Sequence, residues 1–167
     1  MASRSRLASQ ELADRLREQI YLSFVALAVV LAMRTHGHVE VGAAAVTLAV
    51  TILGTLMAVF TAEVIAHLIM HESPPTRAEL RTILFATFGA VGSVLIPFVF
   101  LGAAALGWWD VDAALVASAI LLAVTLVLYG YVAVRRVPLT WWQRLIVLGG
   151  EAALGLIVIG LQIVAHG

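Results

Sequence analysis

Five runs of nearly unbroken apolar residues take up most of this chain, and their lengths leave few folds open: Ile20 to Met33, Val41 to Met70, Thr82 to Leu106, Ala113 to Val134 and Leu145 to Ala165. A helix that crosses a bilayer needs about 20 mostly apolar residues. Four of the runs are that long. The first is shorter and reaches the required length by including Leu16 and the aliphatic stems of flanking arginines, which can snorkel to the interface. The expected architecture is all-α: a polytopic integral membrane protein with five transmembrane helices in a bundle over residues 20–167, preceded by a cytoplasmic amphipathic segment over residues 1–19. That first segment carries Leu7, Leu12 and Leu16 among charged residues, the pattern of a helix lying on a membrane surface. It is not the pattern of a signal peptide, because the charged stretch is long, no small-x-small site follows Met33, and further spans come after.

Composition agrees with this reading. Of 167 residues, 62% are hydrophobic and 12% charged, with a mean hydropathy of +1.04. A soluble domain carries about 25% charged residues. The formal net charge is zero, which gives no bulk attraction to nucleic acid. The absence of cysteine excludes disulfides, thiolate metal sites and thiol nucleophiles. All ten basic residues are arginine, and with the Ala, Val and Leu bias this suggests a GC-rich, bacterial coding sequence.

The boundaries are well punctuated. Ser73-Pro74-Pro75 stops the second run, and Thr76-Arg77-Ala78-Glu79 reads as a capping box opening the third. Thr140-Trp141-Trp142-Gln143, after Pro138, has the same form and opens the fifth. Asp110 or Asp112 can cap the fourth. Trp108 with Trp109, and Trp141 with Trp142, suit the two interfaces. Pro97 predicts a kink in the third helix. The second run would reach about 45 Å as one helix, so it must tilt or project into the cytoplasm. Nine arginines fall on one side of a five-span arrangement and only Arg34 on the other. The positive-inside rule then puts the N-terminus in the cytoplasm and the C-terminus outside.

Charge inside such runs is the functional clue, since an intramembrane carboxylate is costly and needs partners. Glu63 lies eight residues before His71, and Glu151 seven after Arg144, both about 10–12 Å from the cytoplasmic boundary. Thr87 and Tyr129 fall at about 9 Å on two further helices and make a supporting polar layer. Glu63, His67 and His71 are spaced four apart and share one helix face, with Glu72 at its end. Glu63, His67, Glu151, His71 and Glu72 are therefore the candidate ion-binding or proton-relay residues. Glu63 with His67 is the candidate metal pair, which would take a divalent transition metal. A packing role is the alternative for each. Glu63 and His67 would neutralise one another, Glu151 would be protonated against Tyr129 or a carbonyl, and His71 and Glu72 would be interface residues. The loop His36-Gly37-His38-Val39-Glu40 and His166 read as solvated.

Small residues on the third span (Gly89, Gly92, Ser93), the fifth (Gly150, Gly155, Gly160) and the start of the second (Gly42, Ala43 to Ala45) let helices approach closely, within the chain or between protomers. His71-Glu72 is followed by Ser-Pro-Pro and is not a zinc-protease motif, and no nucleophile elbow or phosphate-binding glycine loop occurs. Five spans with inner-leaflet glutamates resemble the vacuolar iron transporters in span count and site chemistry alone. The expected Met-Gly-rich second-span motif reads Thr55-Leu-Met-Ala-Val-Phe-Thr-Ala-Glu63 here, and the acidic insertion after that span is missing, so no residue role is carried over.

The resulting expectation is a non-enzymatic, multi-pass protein of a bacterial inner membrane: a small cation or proton transporter or channel, acting as a homo-oligomer in the lipid bilayer. The alternative is a membrane assembly or regulatory subunit whose polar layer fixes helix packing. A metalloenzyme using Glu63 and His67 ranks behind both.

Overall fold

The apolar runs form helices, and the punctuation ends them. A computed structural model describes residues 2–35, 39–135, 140–143, 145–146, 149–150 and 153. Its helices are α1 (Ala2–Thr35), α2 (Val41–His71), α3 (Arg77–Gly89), α4 (Leu95–Ala105) and α5 (Val111–Arg135), with a 3-10 segment, Ala90–Val94, between α3 and α4. No strand occurs among the described residues. Three stretches are long and apolar enough to cross a membrane: Leu16–Arg34 within α1, and the whole of α2 and of α5. Most of the fifth run, with Glu151, lies outside the described residues, as do His36, His38 and His166.

Local chemistry fixes the helix ends. The Thr76 amide and hydroxyl both donate to Glu79 Oε2 at 2.7 Å, and the Glu79 amide donates back to Thr76 Oγ1 at 3.4 Å, closing the capping box that starts α3. The Thr140 amide donates to Gln143 Oε1 at 2.9 Å. Asp110, rather than Asp112, caps α5, its Oδ2 accepting from the Asp112 amide at 3.1 Å. The end of α4 is closed by Gly107 at φ +74, with the Gly107 amide bonded to Ala104 O and the Trp108 amide to Ala103 O, the paired bonds of a Schellman turn. At the end of α2, Glu72 takes the left-handed conformation itself, at φ 51.

α1 runs through residue 19 without a break, so the amphipathic segment and the first span are one helix. The third run differs from the expected single kink. Pro97 offers no amide to the Ser93 carbonyl and its ring crowds that carbonyl. The disturbance therefore falls upstream of Pro97, where the backbone tightens to 3-10 over Ala90–Val94, and Pro97 sits buried in the first turn of α4, where a missing N–H leaves no helical bond unmade.

One core joins α1, α2, the 3-10 segment, α4 and α5. α1 and α5 pack most extensively. Ala26, Ala114 and Ser118 are fully buried, and such short side chains let the backbones approach closely. Several glycines of the described helices do not serve this purpose within the chain. A methyl added at Gly42, Gly54, Gly89, Gly92 or Gly102 would meet nothing within 4 Å. α2 gives the core a narrow stripe, Ala44, Leu48, Ile52 and Leu56, spaced four apart. Its other faces carry exposed Val46, Val50, Leu53, Met57, Ile65 and Ile69, the surface expected to meet lipid.

Candidate functional site

Two buried stripes end on carboxylates at the same end of the bundle. On α1 the stripe runs Met33, Val30, Ala26, Leu22 and then Glu18, whose relative exposure is only 8%. On α2 the line of Ala44, Leu48, Ile52 and Leu56 continues through half-buried Val59 to Glu63 and His67. Both acids thus face the bundle, as intramembrane charge does. Arg17 Nη2 reaches Glu63 Oε1 at 3.2 Å across the two helices.

Glu18 and Glu63, with Arg17 and Thr87, line a hollow of about 370 Å³ between α1, α2 and α3. Tyr21, Leu22, Leu56, Ala58, Val59 and Ala62 complete its wall. A smaller hollow of about 150 Å³ adjoins it, sharing Arg17, Glu18, Glu63 and Thr87 and extending to Thr82, Ile83 and Ala86. Thr87 is 1% exposed, and among the described residues its hydroxyl has no hydrogen-bond partner. Fully buried Ser23 on α1 shares this condition, but Ser23 lines neither hollow. Thr51, Thr55, Thr61, Thr82, Thr125 and Ser118 each return their hydroxyl to the carbonyl one turn back on their own helix, at 2.7–3.1 Å.

The other expected site residues separate into two groups. Glu63 and His67 do not pair: Glu63 takes Arg17, while His67 Nε2 lies 3.7 Å from Glu79 Oε2 at the start of α3. The His67 and His71 rings lie tilted with centroids 4.4 Å apart, so His67, His71 and Glu79 cluster below the hollow. The Glu79 carboxyl is held below the usual carboxylate range, chiefly by the Thr76 hydroxyl, then by the Thr76 amide, and more weakly by the two histidines. Glu72 is exposed and terminates α2. Tyr129 is half-buried on α5 and does not line either hollow. Among the described residues no group of three or more His, Asp or Glu side chains converges as a metal site requires. No family model, characterised protein or solved structure matches the chain.

Glu18 is the residue that sequence reasoning misses. Its neighbours Arg15, Arg17 and Glu11 give the segment the look of a solvated helix. The available signal is its register, four residues before Leu22 and eight before Ala26 on the face that becomes the seam. Chemically, the hollow offers two carboxylates against one guanidinium, with a buried hydroxyl free to donate or accept. A proton or cation taken up by Glu63 would compete with Arg17 for the same oxygen.

Proposed function

We propose that this chain is a small cation or proton transporter or channel of a bacterial inner membrane, and not an enzyme. One observation carries the reading: acids from two different helices, Glu18 and Glu63, line a single hollow at the point where hydrocarbon seams give way to charge. Such groups inside a bundle are costly and mark ion or proton paths. Arg17 is the resident counter-ion, released when Glu63 takes up its proton or cation. His67, His71, Glu72 and Glu79 form the cytoplasmic mouth below.

The membrane arrangement belongs to the same proposal. The chain crosses five times, with the N-terminus in the cytoplasm and the C-terminus outside. The Arg17–Glu63 pair lies toward the cytoplasmic side, at the start of the apolar stretch of α1, and Arg34–Asp112, also at 3.2 Å, at the other end of that stretch. Arg81 over Phe85 and Arg135 over Tyr131 set two more charges at the inner boundary, each stacked on an aromatic ring one turn away, at 5.3 and 5.4 Å. Five helices enclose little volume, so a homo-oligomer completes the path.

Proteoliposomes with an imposed pH or cation gradient test this. Wild-type protein should carry flux above empty vesicles, falling at least roughly tenfold in Glu18→Gln and Glu63→Gln, as expected when an essential intramembrane charge is neutralised. Absence of wild-type flux, or wild-type flux in both variants, would overturn the proposal.

A second reading, a membrane assembly or regulatory subunit, is favoured by the bare backbone that Gly42, Gly54, Gly89, Gly92 and Gly102 leave open. A stable co-purifying partner, with both Gln variants behaving as wild type, would support it.

A further inference from the structure

We infer that the hollow between α1, α2 and α3 takes an amphiphilic organic cation: one ammonium or phosphonium charge on an apolar body. The inference rests on the transport reading for the role of the site and adds the class of its occupant. Size is the first argument. At about 370 Å³ the hollow falls within the range of small-molecule pockets, roughly 300–1,000 Å³, and far exceeds what a bare metal ion fills. Its wall is the second. Leu22, Leu56 and Val59 form an apolar surface, and Tyr21 presents an aromatic ring toward which a cation is drawn. An inorganic cation entering this space would lose its water against hydrocarbon, whereas an apolar body gains from the same contact.

Charge is the third argument. Glu18 and Glu63 both line the hollow, so the head of a bound cation meets two carboxylates. Glu63 already holds a flat organic cation, the guanidinium of Arg17, so an incoming ammonium replaces like with like. Thr87 is the independent indication of a ligand. Its hydroxyl is buried, lines both hollows and is bonded to none of the described residues, although a bond to its own helix is the ordinary option that Thr51, Thr55 and Thr125 take. A buried hydroxyl left unbonded is unfavourable. An ammonium head that carries N–H groups, seated between the two carboxylates, would satisfy it by donating to the hydroxyl oxygen.

The test is equilibrium binding of radiolabelled tetraphenylphosphonium to the full-length protein in nanodiscs, with neutral triphenylphosphine oxide and Mn²⁺ as competitors. Wild type should show one saturable site per chain, unaffected by either competitor. Glu18→Gln and Glu63→Gln should weaken it at least roughly tenfold, since each removes a charge partner. Thr87→Val, which keeps the shape of the side chain and guards against misfolding, should leave phosphonium binding, which involves no hydrogen bond, within about twofold, and should weaken displacement by dodecylammonium, whose N–H groups can bond the hydroxyl, about threefold to tenfold. No saturable wild-type binding, displacement by Mn²⁺ or by the neutral oxide, unchanged phosphonium binding in both Gln variants, or unchanged dodecylammonium displacement in Thr87→Val would overturn the inference. The same preparation separates the two claims. Glu63-dependent proton or metal-cation flux without phosphonium binding ends this inference and leaves the transport reading standing. Phosphonium binding with these dependences but no flux of any cation leaves the binding site standing and ends the transport reading.

Discussion

Arg17 on α1 and Glu63 on α2 meet at 3.2 Å, at the end of the helix pair where each buried stripe changes from hydrocarbon to carboxylate. The pair is not a strong staple. Its side chains are 64% and 40% exposed, and ion pairs that open to solvent contribute about 0–1 kcal/mol. Its significance is positional: it fixes a guanidinium at the mouth of the hollow, beside Glu18.

Glu63→Gln should therefore separate stability from function. The thermal unfolding of the purified protein should change by no more than about 1 kcal/mol, while cation flux is lost. A large loss of stability in this variant would show that the pair is structural.

Thr87→Val should behave in the opposite sense from an ordinary core substitution. It removes a buried hydroxyl that no described residue bonds, so the fold should be unchanged or stabilised by up to about 1 kcal/mol. Binding of a primary ammonium at the hollow should weaken in the same variant. Denaturant or thermal unfolding alongside ligand titration reads both; destabilisation by more than that amount would mean that the hydroxyl holds the helices together.

Pro97→Ala should restore an amide to the Ser93 carbonyl and draw Ala90–Val94 toward α-helix. Spin labels at exposed Phe85 and Val99, on either side of the segment, should report a changed separation. An unchanged distance would place the cause of the 3-10 geometry in packing against α1 instead.

The α2–α3 turn should respond to acid in one direction only. The Glu79 carboxyl has its pKa lowered in the folded chain, first by the Thr76 hydroxyl. A depressed pKa contributes stability that is fully present above the unfolded carboxylate value and is lost as pH falls through the folded one. Hydrogen exchange at residues 76–80 should thus stay protected from neutrality down to the ordinary carboxylate range and open only below it. Thr76→Val should shift that opening to higher pH.

The legible parts of this fold are the local ones. The helical state of the apolar runs, the Thr76–Glu79 box, the Thr140–Gln143 box and the Asp110 cap all depend on neighbours within four residues, so sequence spacing specifies them. Counting along the helices also sets Thr87 near the level of Glu63, and the two share a hollow. The Arg17–Glu63 contact joins residues 46 apart, and no local rule distinguishes it from the equally reasonable pairing of Glu63 with His67. Glu18 is hidden for a different reason. Charge density around it outweighs register as a signal, although register is what decides which way a helical side chain points. At Pro97 the sequence marks the disturbance, but the affected backbone lies upstream, because the crowded carbonyl is four residues earlier.

The ion pairs at the two ends of the apolar stretch of α1, Leu16–Arg34, make that stretch a gauge of lipid thickness. Arg17 and Arg34 are 17 residues apart, about 25 Å along the axis, against a hydrocarbon layer of about 30 Å in a typical bilayer. A protein pinned in this way fits a thin leaflet pair best. On the proposed transport reading, lengthening the acyl chains would draw both pairs further into oil from opposite sides, so cation flux should decline steadily as the host membrane is made deeper.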